Sequence, residues 1–175
     1  MDADSLIFSV AVSVTCLICA ACTEVQELPA TAAAAEPPRR EMPAPGRKLA
    51  MDPDSVWTLE GCASRPLPFL RLDQSEVIPA TVKPGGLLNY RFPYTACVPA
   101  QPGYILGRLQ TGLFYKGKSL SIRTDDGFPV ETGSWIVDTN IAIPKDAKPE
   151  VYVIEAVLAA KGAMIKDRVS FQVKP

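Results

Sequence analysis

The chain has 175 residues, with 18 Lys and Arg against 19 Asp and Glu. That is long enough for one core plus a tail and too evenly charged to steer toward nucleic acid. Histidine is absent, which removes the commonest general base and metal ligand, so Ser/His/Asp and Cys/His triads are excluded and no cofactor or metal site is expected.

The first element is apolar. Leu6 to Ala21 is relieved only by Ser9, Ser13 and Thr15, and it ends in Ala20-Ala21 directly before Cys22. This is the layout of an export signal and its cleavage site. A retained membrane helix is the alternative, since Ser5 to Ala21 gives 17 residues, at the short limit for a span. Ile18-Cys19-Ala20-Ala21-Cys22 resembles the lipobox of bacterial lipoproteins. The resemblance implies that residues 1–21 are removed as a signal peptide and that Cys22, the new N-terminus, carries the lipid. Thr23 in place of Asp after the cysteine points to the outer membrane, facing the periplasm or the cell surface.

From Thr23 to about Asp54 the composition shifts to the Ala32–Ala35 run, Pro37-Pro38, Pro43 and Pro45, with scattered charges. Such a stretch cannot bury enough apolar area to offset its ordering entropy. Residues 22–54 are therefore expected to be a lipidated, disordered tether, with Arg39, Arg40, Arg47 and Lys48 solvated or, on the sharper reading, touching anionic lipid or peptidoglycan.

Beyond residue 55, short alternating segments recur between turn signals. Leu88, Tyr90, Phe92, Tyr94 and Ala96 define one face of a strand, and Asn89, Arg91 and Thr95 the other. Period two also describes Ile105–Tyr115, Leu120 with Ile122, Trp135 to Ile143, Val151–Ala159 and Ile165 to Val173, and no stretch shows helical spacing. Lys116-Gly117, Asp125-Asp126-Gly127 and Lys161-Gly162 read as turns. Residues 55–175 are thus predicted to form an all-β, antiparallel sandwich of seven to nine strands. The stretch Ile143 to Val153, followed by a hairpin and closing in Phe171-Gln172-Val173, resembles the last strands of immunoglobulin-like and fibronectin-III-like domains. The resemblance implies an immunoglobulin-like sandwich in which the Tyr152 hydroxyl returns to upstream backbone.

Of five cysteines, Cys62 and Cys97 remain once Cys22 is acylated and Cys16 and Cys19 are discarded. In an oxidising compartment they pair most simply with each other, stapling the segment around Val56–Leu59 to the strand of Tyr90 and Phe92. Two buried free thiols are the alternative if export fails.

Candidate sites are few. Asp125-Asp126-Gly127 lacks the further carboxylates a Ca²⁺ loop requires. Glu131, Glu150 and Glu155 could supply a hydrolytic pair, though no spacing sets any two at the needed separation. Gly103–Gly107 lacks the features of a phosphate loop, and Tyr90, Phe92, Tyr94, Phe114 and Tyr115 suit a core better than a ligand groove. The expectation is a lipid-anchored envelope protein, catalytic residues none, whose domain binds or braces a protein partner in the envelope. The alternative is a carbohydrate or small-ligand domain displaying aromatic side chains.

Overall fold

The computed structural model describes residues 41–175. The expected signal peptide, Cys22, Arg39 and Arg40 lie outside the described residues. Ordered elements begin earlier than the tether boundary at residue 54 allows. Strand β1 (Gly46–Met51) leads directly into a seven-residue helix, α1 (Pro53–Leu59). The Asp52 carboxylate caps this helix, accepting from the Ser55 backbone N–H at 2.9 Å and from its hydroxyl at 2.7 Å, and Pro53 fills a first-turn position that needs no donor. Both elements evade a periodicity reading. β1 is mostly exposed and held by its ladder to residues 134–138 rather than by an apolar face, and α1 is too short to show a helical stripe, although Asp-Pro-Asp-Ser is a readable helix start.

Two five-stranded sheets follow. One has the order β1–β8 (Gly133–Ala142)–β5 (Leu87–Cys97)–β2 (Phe69–Leu72), with β3 (Glu76–Ile78) also on β5. The other runs β4 (Thr81–Val82)–β10 (Ala163–Val173)–β9 (Val151–Ala160)–β6 (Tyr104–Tyr115)–β7 (Lys118–Glu131). All pairings are antiparallel except β4 with β10. The all-β class is as expected, and residues 55–175 hold nine strands, β2 to β10; the tenth, β1, comes from the stretch read as tether. The two- and three-residue pieces β4 and β3 are shorter than any window in which alternation can be seen.

Both sheets turn apolar faces into one core. Leu88, Tyr90, Phe92, Tyr94 and Ala96 of β5 meet Tyr152, Ile154, Ala156 and Leu158 of β9 and Ile105, Leu109 and Leu113 of β6 there. The Tyr152 ring stacks on Tyr115 with centroids 4.8 Å apart, and its hydroxyl accepts from the Lys148 backbone N–H at 2.9 Å. The opposite face of β5 is also covered. Asn89 and Thr95 are buried beneath polar side chains of the neighbouring strands, to which they are bonded, although the Asn89 Oδ1 itself has no partner among the described residues. Asn89 donates to Asn140 at 3.2 Å, Arg91 to Asp138 at 2.9 Å and to Glu76 at 3.1 Å, and the Thr95 hydroxyl lies 2.7 Å from that of Ser134.

Lys116-Gly117 and Lys161-Gly162 form two-residue hairpin turns with all four φ positive, the type I′ geometry that matches strand twist. Asp125-Asp126-Gly127 is a different matter: it is no turn. Gly107 faces Phe128 while Arg108 faces Asp126, so Gly127, at φ +88°, is the extra residue of a bulge within β7. A glycine preceded by acidic residues suits either role, and only the partner strand distinguishes them.

Candidate functional site

Cys62, which follows α1, is bonded to Cys97 at the end of β5, with Cα atoms 5.7 Å apart. Both are fully buried with Val56, and Trp57, Leu67 and Phe69 pack around them. The staple holds α1 against the sheet and presents Trp57 on its outer side.

Trp57 thereby joins residues distant in sequence. Leu49 of β1, Trp135 of β8, Tyr104 of β6 and the Pro99–Gly103 loop line a recess of about 640 Å³ with it, and Asp54 and Glu131 bring two carboxylates. Tyr104 and Leu49 are each nearly half exposed. The Trp135 indole is fixed from several sides. Its Nε1 donates to the Glu131 carbonyl at 3.1 Å, and the Arg47 guanidinium lies 3.5 Å from its ring centroid. Arg47 Nη2 in turn donates to Glu131 Oε2 at 2.8 Å, tying β1 to the end of β7. A stacked, paired guanidinium loses little further freedom, so it serves as a rigid wall. Gly133 is required beside it: at φ +140° a Cβ would meet Leu49 Cδ1 and Trp135 Nε1, each at 3.1 Å. Tyr94, opposite Trp135 on β5, lies in the core below, and burial pushes its phenol up to about 12. The recess thus offers apolar ring faces beside the Asp54 carboxylate and the Arg47–Glu131 ion pair, a surface suited to holding a ligand.

Of the residues weighed from the sequence, Glu131, Gly103 and Tyr104 reach this recess and the rest fall elsewhere. Tyr90, Phe92 and Tyr94 are core, Tyr115 stacks on Tyr152, and Phe114 lies over Gly112. The three glutamates answer three different cations: Glu131 pairs with Arg47, Glu150 with Lys116 at 2.8 Å, and Glu155 with Lys166 at 3.0 Å. Asp126 is bonded to Arg108. Arg47 and Lys48, assigned to the tether, are part of the fold, and Lys48 Nζ stands 3.5 Å from the buried Asp138 carboxylate. Gly103 ends a loop and Tyr104 opens β6. Among the described residues no group of three acidic or thiol side chains converges to hold a metal, and no helix is long and apolar enough to cross a membrane. Sequence reasoning missed the pairing of Trp57 with Trp135. Their one signal was that they are the chain's two tryptophans, and their meeting depends on the staple.

No family model and no curated protein matches the chain. Among solved structures, similarity extends to the Pseudomonas fluorescens alkylpurine DNA glycosylase AlkC (14% identity, 61% of this chain and 30% of that one, TM-score 0.43). It also extends to Parabacteroides merdae β-glucuronidase (9% identity, 61% and 14%, TM-score 0.41) and to the sporulation control protein Spo0M of Bacillus subtilis (11% identity, 61% and 49%, TM-score 0.37). The chain spans less than half the length of each.

Proposed function

We propose that this is a lipid-anchored protein of the bacterial envelope whose immunoglobulin-like domain is a non-catalytic binding module, and that the recess between Trp57, Tyr104 and Trp135 is where its partner docks. The anchor rests on the lipobox-like run ending at Cys22. The immunoglobulin-like reading is supported by the Tyr152 hydroxyl, which takes the Lys148 N–H four residues upstream, as the tyrosine corner of such domains does. The observation carrying the binding role is the recess itself, where two half-buried indoles and the exposed Tyr104 phenol gather, whereas most of the other aromatics among the described residues are buried. Rigid aromatic anchors of this kind dominate protein-binding surfaces.

A saccharide ligand is the second reading, and one observation favours it. Asp54 and Glu131 share the recess with the rings, which combines apolar faces for a sugar ring with acceptors for its hydroxyls.

Placing a photoreactive phenylalanine analogue at Tyr104 in the full-length chain and irradiating intact cells tests the role directly. The expected result is one discrete envelope-protein adduct that disappears with Trp57→Ala. Quenching of tryptophan fluorescence by cell-wall oligosaccharides, without an adduct, would establish the saccharide reading instead. Neither signal, in a protein whose thermal melting is unchanged by Trp57→Ala, would overturn the assignment of this recess.

A further inference from the structure

Strand β7 runs 14 residues, yet among the described residues it pairs only with β6, and every residue from Lys118 to Gly127 is exposed. Its other edge carries backbone donors and acceptors with no strand partner among the described residues. Natural edge strands this long are blunted by prolines, charged side chains, bulges or shortness. β7 is bulged on both sides of the run Ser121–Asp126 and charged at Arg123, Asp125 and Asp126, but the run itself holds no proline and no bulge. It forms a regular ladder between two register shifts, one near Leu120 and one at Gly127. Ile122 remains 54% exposed on it.

The charge pattern of this run says what suits the edge. Arg123 and Asp125 lie two residues apart, so they share a face of the strand. That face borders the open groove between β7 and β8, which Leu109 and Thr111 also line. Neither side chain has a hydrogen bond or ion pair among the described residues, whereas Asp126, on the opposite face, is taken by Arg108. An antiparallel partner strand meeting this face would therefore need Asp opposite Arg123 and Arg opposite Asp125. A second copy of β7, placed about a two-fold axis through Thr124, provides that match: Arg123 of each copy stands opposite Asp125 of the other, and Thr124 meets itself. A register slid by two residues, with its axis at Arg123, would set Arg123 against Arg123, which like charges disfavour.

We propose that β7 is a self-pairing edge, through which two copies of this chain join their five-stranded sheets into one continuous ten-stranded sheet with its two-fold axis at Thr124. The pairing is isologous, as closed dimers require. Its ladder is short, so the dimer is a weak one, favoured where the chains are concentrated. It shares no residue with the aromatic recess and does not depend on the binding role assigned there.

The test uses the full-length chain with a cysteine at the axis. Thr124→Cys should give a disulfide-linked dimer on mild oxidation at least about tenfold faster than Lys161→Cys, an exposed control in the turn between β9 and β10. In that background Arg123→Asp or Asp125→Arg alone should slow crosslinking to the control rate, and the two together should restore it. Because all these positions are exposed, the variants should fold like the parent, which circular dichroism checks. Crosslinking at 124 no faster than at 161, or single reversals without effect, would overturn the proposal. So would a double reversal that fails to rescue.

Discussion

Strands β5 and β7 are of similar length, yet they live in opposite environments. β5 lies inside its sheet, with β8 on one side and β2 and β3 on the other, and of its residues only Leu87, Arg91 and Pro93 escape full burial. β7 is an edge, exposed on both faces until Phe128. The difference teaches that alternation reports which side chains share a face, whereas what packs over that face decides whether it is covered. Polar residues on β5 are consequently structural, bonded in pairs across the sheet, while apolar and charged residues on β7 remain available.

Truncation at matched positions breaks the comparison most sharply. Phe92→Ala should remove about 3–5 kcal/mol from unfolding, since its ring is buried between Tyr90 and Tyr94 and the vacated space is only partly refilled. Ile122→Ala in dilute protein should fall within about 0.5 kcal/mol of the parent, as exposed substitutions do. Urea titrations of both would measure the contrast, and equal losses would mean that β7 is covered in solution.

Half of this contrast was legible beforehand. The inner face of β5 follows from Leu88, Tyr90, Phe92, Tyr94 and Ala96, and the two Lys-Gly hairpins follow from the φ > 0 that their turns require. The burial of Asn89 and Thr95 was not legible, because nothing in their neighbours along the chain indicates Asn140 or Ser134 across the ladder. β1 was hidden for a related reason: Arg47 and Lys48 look solvated until Glu131 and Asp138, some 80 to 90 residues on, are brought beside them. The recess was missed on the same grounds, as Trp57 and Trp135 meet only through a helix held by the cysteine staple. What local pattern encodes was recovered, and what long-range pairing encodes was not.

The staple separates the two strands further, because it secures only the β5 end. Replacing Cys62 and Cys97 together by Ala reopens a loop whose ends are 35 residues apart in sequence, and should cost about 2–4 kcal/mol. The loss should be uneven. Amide exchange should accelerate most in α1 and in β5 near Cys97, and fluorescence from Trp57 should shift toward that of a solvated indole. The β6–β7 hairpin should keep its exchange rates. Uniform acceleration through both sheets would mean that the staple supports the whole core rather than the helix and the recess.

At the hairpin that leads into β7, an exposed ion pair joins Lys116 in the turn to Glu150 just before β9. Hydrogen bonding to Lys116, and secondarily to Tyr115, holds the Glu150 carboxyl below its ordinary value, while bonding to Glu150 and then Tyr115 raises Lys116 to about 12. The signs give a window. The Glu150 contribution is fully present above the ordinary carboxylate range and fades as pH falls through the depressed value. The Lys116 contribution is fully present below the ordinary lysine range and fades as pH rises through about 12. The pair therefore stands across neutral pH and loosens at both extremes, by little, because salt and solvent screen exposed charges. Carbon-detected titration of Glu150 should show its midpoint move back toward the ordinary value in Lys116→Met, with the amides of Val153 and Ile154 undisturbed. An unmoved midpoint would mean that the hairpin tip is free of Glu150 in solution, leaving β7 held by its ladder to β6 alone.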